Sequence, residues 1–162
     1  MLNAVSSYYH PTSIGPYSEK LTEFLNKLIH AFMSRLNLER YENPHPISWF
    51  PPHRDKITDQ QIVEFCSMVL PCSLNLASSR KYVDAERTNL SILASIRPDI
   101  VIPPLIKKLD DSLETLTEPF KFTAAVKCIV SGARGWLFWR RSRFVQKAML
   151  NSPNTLLCTY HC

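Results

Sequence analysis

The chain has 162 residues, 45% of them hydrophobic, with 19 Lys+Arg against 14 Asp+Glu for a formal net charge of +5. That length sets one domain, or one piece of an array, as the scale, with enough apolar residues for a core. Its 3 glycines and 12 prolines disfavour an all-β chain of many tight turns and favour short helices with marked ends. All 14 acids lie in residues 1–118 beside 12 of the bases, while residues 119–162 hold the other 7 bases and no acid. The basic character therefore belongs to the C-terminal quarter. The N-terminus shows neither the basic lead nor the long apolar run of a secretory leader. No apolar stretch reaches the roughly 18 residues of a membrane span. The 5 cysteines, Cys66, Cys72, Cys128, Cys158 and Cys162, are an odd set, and reduced thiols of the cytosol or nucleus are the default expectation.

The first predicted helix runs from about Pro16 to Arg40. Pro16 suits a first helical position, where its missing N–H costs nothing. Leu21, Phe24, Leu25, Leu28, Ile29, Phe32, Met33 and Leu36 keep a three–four rhythm opposite Glu19, Lys20, Glu23, Lys27 and Arg35, so one face is buried. Tyr41 to Ile57 reads as a proline-rich connection, with Trp49 and Phe50 tucked against a helix pair. Thr58-Asp59-Gln60-Gln61 has the capping-box pattern. The helix behind it uses Ile62, Phe65, Val69 and Leu70, and Pro71 is expected to kink or break it where the ring meets the carbonyl of Ser67. After a turn at Ser78 to Lys81, a further helix spans about Val83 to Ile96, with Leu90, Leu93, Ala94 and Ile96 apolar.

Arg97 to Pro119 reads as one complete helical unit. Pro98 closes what precedes it, and Asp99 offers a carboxylate to the free N–H groups of a helix start. Pro103 and Pro104 place the first turn of the helix around themselves. Leu105, Ile106, Leu109, Leu113 and Leu116 then recur at three- and four-residue steps. A last helix begins at Thr117 and uses Phe122, Val126, Ile129, Val130 and Ala133, with Gly132 and Gly135 softening its end. The starts near Thr58 and Asp99 are about 41 residues apart, inside the period of HEAT-type helix pairs. Each such pair must stack on a neighbour to bury its apolar face. The expected architecture is all-α, a HEAT-like helical-repeat (α-solenoid) fragment of antiparallel helix pairs.

No catalytic set emerges. Gly15, Gly132 and Gly135 make no phosphate-cradling loop, and His10, His30, His45, His53 and His161 place no two imidazoles on one helical face. Asp110 and Asp111 are adjacent, so they point to different sides of a helix rather than forming an acid/base pair. Cys66 and Cys72 read as small buried side chains. Cys158-Thr159-Tyr160-His161-Cys162 crowds three metal-ligand types at one end without the fourth ligand of a zinc site, so neither a metal nor a cofactor is expected. Residues 134–147 interleave Trp136, Phe138, Trp139 and Phe144 with Arg140, Arg141 and Arg143. Such a segment can stack on bases and neutralise phosphates, or seat an amphipathic helix on an anionic membrane surface. The plainer reading, which is preferred, is a short helix finishing a broken repeat.

Several blocks carry a resemblance. Arg97-Pro98-Asp99-Ile100-Val101-Ile102-Pro103-Pro104 and Leu113-Glu114-Thr115-Leu116-Thr117-Glu118-Pro119 resemble the middle region of the proteasome activator complex subunit 4 family. Upstream, Ser6-Ser7-Tyr8-Tyr9-His10-Pro11, Glu39-Arg40-Tyr41 and Lys56-Ile57-Thr58-Asp59-Gln60 resemble the same family in the same order. Thr123-Ala124-Ala125-Val126-Lys127-Cys128-Ile129-Val130 with Ala133-Arg134 extends the likeness downstream. It covers roughly residues 1–134 and leaves 135–162 as a divergent basic and aromatic tail. Members of that family are far longer chains, so the resemblance implies a fragment of the middle HEAT-repeat region. It further implies a non-enzymatic scaffold that caps the α-ring of the proteasome core particle and opens its gate without ATP hydrolysis. Location in nucleus and cytoplasm is implied too, with acetylated histones bound through regions this sequence does not contain. The family docks through a tail with a penultimate tyrosine. Here His161 stands at that place, so the expectation is that this chain alone does not activate a proteasome. The alternative is a basic helical adaptor that binds nucleic acid or an anionic membrane surface through residues 134–147.

Overall fold

The computed structural model describes residues 6–9, 15–40, 56–114 and 119–150, and the regular structure there is helical. A short 3-10 segment, Ser6–Tyr9, precedes five α-helices: α1 (Pro16–Arg40), α2 (Asp59–Leu76), α3 (Val83–Ile96), α4 (Pro98–Glu114) and α5 (Pro119–Leu150). Trp49, Phe50 and the segment from Cys158 to Cys162 lie outside the described residues. The core runs through all five helices. α3 touches α1, α2, α4 and α5, and α5 packs on both α3 and α4. Helices α2 and α4 begin roughly 40 residues apart, as the repeat period requires.

Helix α1 begins at Pro16 and buries Leu25, Ile29 and Leu36. Burial of each such side chain contributes about 1.5–3 kcal/mol. Phe32 stacks on Phe65 of α2, with ring centroids 3.8 Å apart and planes inclined by 7°. The capping box at Thr58 is present. Gln61 N donates to Thr58 Oγ1 at 3.2 Å, and Thr58 N donates to Gln61 Oε1 at 2.9 Å. Two of the helix's free amide donors are thereby satisfied reciprocally. Glu39, which also pairs with Arg35, accepts from Ile57 N at 2.8 Å and ties the end of α1 to the entry of α2.

Three local expectations are corrected. Of the kink or break expected at Pro71, the break does not occur: helix α2 continues to Leu76 with Pro71 inside it. Both Ser67 and Pro71 are exposed, so the carbonyl that loses its i+4 donor faces solvent, where water can replace it. Helix α4 starts at Pro98, which takes the first helical position, and Pro103 and Pro104 lie inside it. The single residue Arg97, at φ −140° and ψ 79°, separates it from α3, as the steric demand of a following proline dictates. Asp99 spends its carboxylate chiefly on Arg97, through Nε–Oδ1 and Nη2–Oδ2 contacts of 3.0 and 2.7 Å. Helix α5 does not soften at its glycines but runs through both to Leu150.

The side of α5 that faces the core is also not the one its large apolar residues suggest. Ala124, Ala125, Cys128, Ser131, Gly132 and Gly135 are buried, while Phe122 and Val130 are exposed. A row of small side chains lets the α5 backbone come close to α3. A Cβ at Gly135 would stand 2.1 Å from the Ser91 carbonyl oxygen, and one at Gly132 would stand 2.8 Å from Leu105 Cδ1. Arg87 of α3 reinforces the seam by donating to Ser131 Oγ at 3.2 Å.

Candidate functional surface

The α4–α5 pair frames an apolar groove of roughly 530 Å³, lined mainly by Ile102, Pro103, Ile106, Ile129, Ala133 and Trp136. Its geometry follows from the two helices' own rows. Val101 and Leu105 of α4 point into the core, which leaves Ile102 and Ile106 on the adjoining outer side. On α5 the buried glycines fix the inner face, so Ile129, Ala133 and Trp136 at four- and three-residue steps form the neighbouring row. Arg134, Arg140 and Arg141 are exposed on the same helix, with the Arg140 guanidinium 5.9 Å from the Trp136 ring centroid.

A second feature lies inside the fold. Glu86 of α3 is fully buried, in register with Val83, Leu90 and Leu93. Asn89 Nδ2 donates to Glu86 Oε2 at 3.1 Å. Glu86 Oε1, Ser73 Oγ and Asn89 Oδ1 are buried without a hydrogen-bond partner among the described residues. Burial pushes the Glu86 carboxyl up to about 7. The neighbouring Asn89 amide and Ser73 hydroxyl pull the other way. Tyr9, whose hydroxyl donates to the Leu21 carbonyl at 3.3 Å, is pushed up to about 12 by burial, with Cys72 and Glu86 adding to the effect.

The other sequence candidates resolve simply. Asp110 and Asp111 are exposed on α4 and are not brought together as an acid/base pair. Cys66, Cys72 and Cys128 are buried free thiols. Burial raises all three, Cys66 to about 11, so they act as small packing groups rather than nucleophiles. Lys108 was not anticipated. Its ammonium donates to the Leu74 carbonyl at 2.6 Å and to Ser78 Oγ, tying α4 to the end of α2, and burial lowers its pKa. A lysine three residues after Leu105 on a buried row was the available signal. Among the described residues no group of three or more metal-ligating side chains occurs, and no helix is long and apolar enough to cross a membrane.

Residues 1–139 match the family model described as "Proteasome activator complex subunit 4, mid HEAT repeats region". The chain belongs to the proteasome activator complex subunit 4 family. The proteasome activator complex subunit 4 of Homo sapiens is 36% identical over 137 residues, which cover 83% of this chain and 7% of that protein. The Xenopus laevis protein of the same name gives the same identity and coverage. The Danio rerio subunit 4B is 36% identical over 140 residues, or 85% of this chain and 8% of its own. The chain thus spans well under a tenth of the length of these relatives. The family match encloses the α4–α5 groove and the Glu86 cluster, both of which lie between residues 1 and 139. The helical stack agrees with its HEAT-repeat description. Neither the family nor these relatives support nucleic-acid or membrane binding through residues 134–147.

Proposed function

We propose that this chain is wall material of a proteasome activator, a non-catalytic segment of a helical-repeat cap that seats on the α-ring of the core particle and opens its gate without ATP hydrolysis. The observation that carries this reading is family membership over residues 1–139. The fold supports it physically. A helix pair in a solenoid contributes curvature and stacking surface, and each repeat draws its stability from its neighbours. The interior of this segment is spent on packing. Burial keeps the thiols of Cys66, Cys72 and Cys128 protonated, the partly buried Lys108 ties two helices together, and the close approach of α5 to α3 relies on Gly135. Work on the core particle belongs to the nucleus and cytoplasm, and acetylated histones would be engaged by other parts of a full-length activator.

The isolated chain is therefore expected to leave peptide hydrolysis by purified core particle unchanged. A fluorogenic-peptide assay across a titration of the chain checks this. Stimulation by the chain alone would show that it carries docking and gate-opening parts of its own, and would overturn the assignment to the wall.

A further inference from the structure

We propose that the groove between α4 and α5 docks an acidic amphipathic helix supplied by a partner protein. Two antiparallel helices leave between their outer rows a furrow into which a third helix fits. This furrow is open, with Ile106 49% and Trp136 39% exposed. An exposed apolar patch of this kind marks an interaction site, and Trp136 is the type of rigid aromatic anchor on which binding energy concentrates.

The surrounding charge selects the flanks of the occupant. Helix α5 carries no carboxylate. Arg140 borders Trp136. Arg134 and Arg141 stand on the next row outward, with Val130 and Leu137, all four exposed. On the α4 side Asp99 is gripped by Arg97, exposed Asp110 is offset by exposed Lys107, and the exposed acids Asp111 and Glu114 lie beyond the groove's lining at the end of the helix. One rim of an apolar channel is thus positive and the other close to neutral. A nucleic acid would match the arginines but leave the floor of Ile102, Pro103, Ile129 and Ala133 without an apolar partner. A helix with an apolar stripe flanked by Asp or Glu matches both. Complementary charge then sets orientation and suppresses cationic competitors.

The test titrates the full chain with two synthetic helical peptides that share one leucine stripe. One is flanked by glutamates and the other by lysines. The expected result is at least a tenfold preference for the glutamate peptide, weakening with salt. Trp136→Ala should weaken that binding. Charge reversal by R134E, R140E and R141E together should invert the preference, with unchanged far-UV circular dichroism in both variants. Equal binding of the two peptides, no binding by the folded chain, or displacement of the glutamate peptide by single-stranded DNA would overturn the proposal. So would a stable dimer that Trp136→Ala dissolves, which would assign the groove to a second copy of this chain.

Discussion

Raising the pH from 5 to 8 is expected to remove about 3 kcal/mol of folding stability through one carboxyl, that of Glu86. The sign follows from where the proton sits. In the unfolded chain the group titrates near its ordinary 4.5, and in the fold burial holds it at about 7. Between those values the folded state keeps a proton that the unfolded state has released. The contribution is fully present below about 4.5, falls as pH rises, and is gone above about 7. The groups that face Glu86 are Tyr9 from the 3-10 segment, Cys72 from α2 and Cys128 from α5. All three are raised and uncharged across this window, so none offers a compensating cation. The cluster is also rich in acceptors. Glu86 Oε1 and Asn89 Oδ1 lack donors, and a carboxyl proton supplies one. Glu86→Gln keeps the shape without the ionisation. Urea unfolding of both proteins should give similar stabilities at pH 5 and a variant more stable by about 3 kcal/mol at pH 8. Parallel pH curves for the two would contradict the account. Taking the difference between them cancels the titration of every other carboxylate.

Gly135→Ala is the second large effect. A single methyl at this position would stand 2.1 Å from the Ser91 carbonyl oxygen and 3.1 Å from Ser95 N. Both atoms are backbone of α3, which cannot swing aside as a side chain does. Alanine's helix propensity favours the substitution by about 1 kcal/mol. Forcing the α3–α5 seam apart is nevertheless expected to leave a net loss of about 3 kcal/mol. Gly132→Ala is the internal control. Its methyl meets Leu105 Cδ1 at 2.8 Å and Ile102 Cδ1 at 3.4 Å, both the far ends of flexible side chains, so the same propensity gain should hold its net change within about 1 kcal/mol of zero. Denaturant unfolding of the two variants checks the pair. A Gly135→Ala protein as stable as its parent would show that α3 and α5 do not approach through this glycine.

Much of this was legible in the sequence where punctuation and periodicity agree. Pro16 opens α1, Thr58 and Gln61 close their capping box, and the rhythm of Leu90, Leu93 and Ala94 marks α3. The failures share one cause, which is that local rules say nothing of what lies opposite. Pro71 looks like a break because a proline deletes a donor, yet it does no harm where the orphaned carbonyl faces water, and Pro103 and Pro104 look like a first turn for the same reason, although the helix has already begun at Pro98. Gly132 and Gly135 look like soft points because glycine is a weak helix former, whereas their use is to admit another backbone. The core row of α5 is Ala124, Cys128, Ser131, Gly132 and Gly135, a spacing that can be read but which a search for large apolar residues passes over. Glu86 was visible in the same way, as an acid in phase with Val83, Leu90 and Leu93. The groove was half visible. Ile106 and Trp136 stood out as apolar residues, but their meeting needs the antiparallel pairing of two helices.

The most direct test of the wall assignment is a graft. The matched 137 residues of the human proteasome activator complex subunit 4 would be replaced by the corresponding residues of this chain, and stimulation of core-particle peptide hydrolysis measured beside the parent activator. The account predicts that the chimera stimulates hydrolysis undiminished, because this segment supplies structure that the 36% identity preserves. A folded chimera that binds the core particle and fails to stimulate it would contradict the claim.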